Sequence, residues 1–162
     1  MLVTDQSSTA MTLKISSNAK EISLACEALH ALCVYVTGNE KCAFDVQYAL
    51  VEALNNVVEH AYGYQSDHEI IISWLHQDNR LQIEIIDNGR SLTVLPKPVL
   101  PDFEAENGRG WWIISACVDE YYYKVVENIE RECALRPGEK NDKFDTTLVK
   151  SHQNILTLIK QF

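Results

Sequence analysis

Hydrophobic positions along the chain switch between helical and strand spacing, and the switches divide it into elements. Thr12-Leu-Lys-Ile15 alternates and predicts a first, edge strand. Asn18 with Glu21 three residues later forms a capping-box pattern. It opens a helix to about residue 36, with Ile22, Ala25, Cys26, Leu29, Leu32, Cys33 and Val36 on its buried stripe. Thr37-Gly-Asn-Glu40 breaks the pattern before a second helix, about residues 42–61, which Gly63 closes. Residues 69–75 and 80–86 are β-rich runs joined by a His-Gln-Asp-Asn hairpin, and Gln82 and Glu84 give the second run one wet face. That run stops at Asp87-Asn-Gly89, and residues 90–107 are irregular, with Pro96, Pro98 and Pro101. A loop this long inside a compact domain is usually functional, often a lid. Gly108-Arg-Gly110 then enters a short helix to residue 118. Residues 120–126 and 146–150 read as paired strands around a polar run with turn chemistry at Pro137-Gly138. Residues 155–159 read as a short C-terminal helix. Helix, helix, then antiparallel strands predicts an α+β fold, a two-layer α/β sandwich with helices on one face of a mixed, mostly antiparallel sheet.

The second helix carries the most informative surface. At about 100° per residue, Leu50, Ala53, Leu54, Val57, Val58 and Ala61 share one side, while Glu52, Asn55, Asn56 and Glu59 share the other. Glu52 and Asn56 stand one turn apart and can serve one ligand. Two adjacent asparagines cost together on the order of 1 kcal/mol relative to alanine in a helix interior. The face also lacks any lysine or arginine. It is either a solvated face or an oxygen-donor site suited to Mg²⁺, which keeps several waters and takes one or two protein oxygens plus phosphate. His60 sits at the apolar boundary, as a cap of the last turn or a neighbour of the site.

Two further stretches carry candidate chemistry. Asp87 at a strand end can accept a hydrogen bond from an exocyclic amine, and Gly89 lets a flat ring approach the backbone. Asp-Asn-Gly is equally an ordinary turn. Gly108 and Gly110 before a helix offer free N–H groups and a positive dipole end to phosphates, or form a tight turn.

Composition narrows the setting. With 162 residues and 46% hydrophobic content, one domain over residues 1–162 is expected, with a loose lead-in at 1–10 and a C-terminal extension at 151–162. A net charge of −9 argues against nucleic-acid partners. No apolar run reaches the ~18 residues of a membrane span. The first ten residues lack signal-peptide regions, so a cytoplasmic location is expected. Cys26, Cys33, Cys42, Cys117 and Cys133 are odd in number with no C-x-x-C pair, which disfavours zinc and disulfides.

Taken in order, the E-x-x-x-N helix, the hairpin ending D-x-G, the lid, G-x-G before a helix and paired threonines resemble the boxes of the Bergerat-type (GHKL, histidine-kinase-like) ATPases. Within them the chain is most similar to the anti-sigma-factor serine/threonine kinases of the RsbW type. The similarity rests on Val51-Glu-Ala-Leu-Asn-Asn-Val-Val-Glu-His-Ala-Tyr62, Ile86-Asp-Asn-Gly-Arg90, Gly108-Arg-Gly110 and Asp145-Thr-Thr-Leu-Val-Lys150, and spans roughly residues 12–150. The resemblance implies ATP and Mg²⁺ as cofactors, Glu52 as general base toward a serine hydroxyl, and Asn56 as Mg²⁺ ligand. It implies Asp87 as the adenine-reading carboxylate with Gly89 flooring the base, and Gly108 and Gly110 as the phosphate-binding lid hinge. Arg109 is a candidate phosphate contact or a surface arginine, and Thr147 a support for Asp87 or for a water near the adenine.

The implied partners are a STAS-domain anti-anti-sigma factor as phosphoryl acceptor, a sigma factor or other regulator that is otherwise held, and a second copy in a homodimer. The alternative is a non-catalytic, ATP-gated regulator-binding module of the same fold. Ser91 in place of a second glycine, Asp145 before the threonines, and the bulky Trp111 and Trp112 depart from the family pattern.

Overall fold

The computed structural model of the protein describes residues 8–100, 102–104, 108–132 and 147–162, with side chains throughout these except at 128–132 and 147–150. Strand β1 (Ser8–Ser16) leads into helices α1 (Ala19–Thr37) and α2 (Glu40–Asn56), the latter continued by a π-turn at Val57–Ala61. The hairpin β2 (Glu69–Gln77) and β3 (Arg80–Asp87) follows, then helix α3 (Gly110–Cys117) and strands β4 (Glu120–Glu132) and β5 (Thr147–Gln161). The five strands form one sheet in the order β1-β2-β3-β5-β4, and all four pairings are antiparallel. Ile70, Ile72 and Trp74 of β2, Ile83 and Ile85 of β3, and Leu158 of β5 share one core with the buried stripes of α1 and α2. The protein is thus an α+β two-layer sandwich with its helices against one sheet face.

Local chemistry explains where α1 begins. The Asn18 side chain accepts from the Glu21 N–H at 2.9 Å and donates to Glu21 Oε1 at 3.1 Å, while the Ser16 N–H reaches Glu21 Oε2 at 2.6 Å. Those bonds hold the Glu21 carboxyl below its ordinary range, the Ser16 backbone bond contributing most. Asn18→Ala removes the cap and is expected to cost about 1 kcal/mol in denaturant unfolding. At the far end of the sheet, Lys160 on β5 donates to Asp45 of α2 at 3.2 Å and to the Cys117 carbonyl at the end of α3 at 2.8 Å. One half-buried cation therefore ties strand to both helices.

The C-terminal region differs from expectation. Residues 155–159 are not a helix, and the stretch 151–162 is not an extension: all of it but Phe162 belongs to β5, which lies between β3 and β4. Residues 154–159 are buried without a break, so the run shows no alternation. A continuous apolar run looks alike in a buried strand and a buried helix. The register moves with it: Glu120 pairs with Ile159, and Thr147 pairs with Glu132 at the outer end of the β4–β5 hairpin. Pro137-Gly138, Cys133 and Asp145 lie outside the described residues. Among the described residues, no helix is long and apolar enough to cross a membrane.

Candidate functional site

The polar face of α2 is met by the start of α3. A β-carbon added at Gly110 would stand 3.0 Å from Glu52 Oε2 and 3.6 Å from Asn56 Oδ1. Glycine at this position lets the first turn of α3 rest directly on the carboxylate and the amide. Glu52 and Asn56 are half-buried there, while Asn55 and Glu59 remain exposed. The Asn56 Nδ2 atom is buried and has no hydrogen-bond partner among the described residues. The side chain of Arg109, the N-cap of α3, makes no capping hydrogen bond to the helix amides. Gly108 has φ +94, a conformation that glycine adopts without strain, where the irregular segment turns into α3.

The end of α2 is stapled to the end of β3. From Val57 the helix widens, and the Tyr62 N–H bonds back to the Val57 carbonyl at 3.0 Å. Helix-terminal carbonyls lack internal donors. Here the Ala61 carbonyl receives the Arg90 N–H at 3.0 Å, and the His60 carbonyl receives the Arg90 guanidinium at 3.2 Å. Tyr62 adds a second pin: its hydroxyl donates to the Glu69 carbonyl at 2.6 Å, accepts from the Asn88 N–H at 3.1 Å, and lies 2.9 Å from Asn88 Oδ1. Gly89 is wedged in the junction. A β-carbon there would stand 2.5 Å from the Ala61 oxygen, so the glycine is required by the helix end. Sequence reasoning assigned that close approach to a bound ring.

Between these junctions opens a cleft whose empty space, mouth included, is about 380 Å³. Asn56 and Asp87 supply polar atoms, Leu92, Tyr123 and Leu156 apolar walls, and Arg90 and His60 stand at its border. Trp111 also lines it, with its ring centroid 5.9 Å from that of Tyr121; Trp112 faces outward. Asp87 is 7% exposed. Burial pushes its carboxyl above the ordinary range, while bonds from Asn154 and the Gly89 N–H pull it back in part. Asn154 Nδ2 donates to Asp87 Oδ1 at 2.8 Å and to the Gly89 carbonyl at 3.0 Å, and Ser91 Oγ donates to Asn154 Oδ1 at 2.6 Å.

Glu52, Asn56 and Gly110 therefore converge, and Asp87 joins Asn56 across the cleft. Arg109 is exposed, its guanidinium donating to the Phe103 carbonyl at 3.2 Å. Thr147 is not the neighbour of Asp87. Asp87 pairs across the sheet with Asn154, seven positions further along β5, and the Thr147 side chain lies outside the described residues. Asn154 escaped sequence reasoning, although an amide directly before an apolar run was a visible signal. Arg90, Tyr62 and Tyr123 were missed because their partners come from distant elements.

A family model described as the histidine kinase-like ATPase domain matches residues 15–132. Over 81 residues the chain is 27% identical to the serine-protein kinase RsbW of Listeria monocytogenes serotype 4a (strain HCC23). It is equally similar to the same protein of serotype 4b (strain CLIP80459) and of serovar 1/2a (strain ATCC BAA-679 / EGD-e). Each match covers 50% of this chain and 52% of the relative, so the similarity spans about half the length of these kinases.

Proposed function

Because the chain belongs to the histidine kinase-like ATPase domain family, we propose that it binds ATP with Mg²⁺ and transfers the γ-phosphoryl group to a serine or threonine of a protein acceptor. The observation that carries this reading is the seating of Gly110, at the start of α3, on Glu52 and Asn56 beside the Asp87 cleft. Asp87 would accept from the exocyclic amine of the base. The uncapped amides of α3 would take the phosphates, since a helix N-terminus favours anions. Gly108 and Gly110 would be the hinge of the segment covering them, with Arg109 near the phosphates.

The donor set fits magnesium. Asn56 presents an amide with no partner on Nδ2 among the described residues, free to turn its oxygen toward a cation, and Mg²⁺ asks for few protein ligands when phosphates supply the rest. When bound, the ion would neutralise charge on the transferring phosphoryl group. Glu52 would accept the proton of the attacking hydroxyl as its oxygen bonds to the γ-phosphorus, while the bond to the β-phosphate oxygen breaks and ADP leaves. Catalysis of this kind is mainly positioning and charge neutralisation. The acceptor that suits the family resemblance is a STAS-domain anti-anti-sigma factor, with a sigma factor or other regulator as the second partner, and a homodimer as the assembly. The whole domain, residues 1–162, would act in the cytoplasm.

Thermal unfolding tests the nucleotide part. Mg-ATP at a hundred times its dissociation constant is expected to stabilise the protein by about 2.7 kcal/mol. Asn56→Ala should remove the magnesium-dependent share of that shift and leave the magnesium-free share. An unchanged magnesium dependence would exclude Asn56 as a ligand, and no shift in the wild type would overturn the reading.

A further inference from the structure

Asn154 is 1% exposed, yet none of its capacity to donate is wasted. Its Nδ2 meets Asp87 Oδ1 and the Gly89 carbonyl, both pure acceptors when the carboxyl is ionised. Only the NH₂ end of an amide can serve two such groups, so the side chain has one permitted orientation. Ser91 fixes the same orientation from the other end by donating to Oδ1, and the next residue, Leu92, turns its N–H toward Tyr123. The Tyr123 hydroxyl is in turn held by the Leu92 N–H at 3.0 Å. The result is a directed network that joins β5, β4 and the segment after β3, with the Asp87 carboxylate at its end.

This network divides the two oxygens of Asp87. Oδ1 is occupied twice, by Asn154 and by the Gly89 N–H at 2.9 Å. Among the described residues nothing donates to Oδ2, although Asp87 lines the cleft. A carboxylate fixed this way offers one acceptor at one angle. It rewards a ring bearing an amino group and penalises a ring bearing a carbonyl oxygen there, because two acceptors would then face each other without a proton between them. Resting on the ATP-binding reading above, we propose that Asn154 is the positioning residue that sets the base preference of the cleft, acting through Asp87 rather than by touching the nucleotide. A buried polar network that is fully satisfied is also rigid, which suits discrimination.

The experiment compares ATP with inosine triphosphate, which replaces the exocyclic amine by a carbonyl, by titrating the full chain in magnesium and reading the ratio of dissociation constants. The variants are Asn154→Ser, which is too short to span Asp87 and Gly89 together, and Ser91→Ala, which leaves Asn154 in place without its orienting donor. Wild-type protein is expected to prefer ATP strongly. The preference should fall about tenfold in Asn154→Ser, the worth of one charge-assisted hydrogen bond, and by a smaller factor in Ser91→Ala. A merely structural asparagine would weaken both nucleotides equally and leave the ratio unchanged, and that result overturns the inference alone. Wild-type protein that binds neither nucleotide overturns the ATP reading and this inference with it. If Asn154→Ser does not fold, Ser91→Ala decides by the same ratio.

Discussion

Glu52→Gln is expected to slow phosphoryl transfer by about 10²- to 10⁴-fold while Mg-ATP affinity stays within about threefold of wild type. Glutamine has the size of glutamate, so it preserves the close contact of α2 with Gly110 at the start of α3. What it would lose is the proposed ability to take a proton from the attacking hydroxyl. In the proposed mechanism binding would depend on Asp87, Asn56 and the α3 amides, none of which the substitution alters. Transfer of label from γ-labelled ATP to a STAS-domain acceptor reads the first quantity, and the thermal shift with Mg-ATP reads the second. Transfer at the wild-type rate would take Glu52 out of the mechanism. A wild-type protein that binds Mg-ATP and labels no acceptor would favour the ATP-gated binding module.

Gly89→Ala is expected to be the most destabilising single methyl that can be added to the site. The new carbon would fall 2.5 Å from the Ala61 oxygen, 2.7 Å from its carbonyl carbon and 2.8 Å from its β-carbon. Backbone cannot rotate out of the way as a side chain can, so the end of α2 and the end of β3 must separate. Separation breaks the Arg90 N–H bond to Ala61 and strains the Arg90 guanidinium bond to His60. Overpacking of this kind costs about 3 kcal/mol. For a domain of this size that lowers the melting temperature by roughly 6–12 °C. Because Asp87 lies two residues before the clash, the stabilisation by ATP should shrink as well. Melting within 2 °C of wild type, with a full nucleotide shift, would show that the junction yields cheaply.

The parts that were legible in the sequence are those governed by neighbours in the chain. Asn18 and Glu21 announce the start of α1 because a cap is a three-residue interaction. The β2–β3 hairpin and the polar face of α2 follow from period alone. The parts that were not legible depend on register and docking. Thr147 and Asn154 are both polar residues of β5, and only the pairing of β5 with β3 decides which one stands beside Asp87. The π-turn at Val57–Ala61 is stabilised from outside, by Arg90 and by Tyr62 anchored between Glu69 and Asn88, so no local pattern marks it. Gly89 was recognised, but the carbonyl that requires it belongs to a residue 28 positions earlier.

The placement of β5 between β3 and β4 matters for anyone shortening this chain. Trimming at residue 132, where the family match stops, would withdraw the plank that joins the two halves of the sheet. It would also strip Asp87 of Asn154 and leave two raw backbone edges, which invite other chains to pair and aggregate.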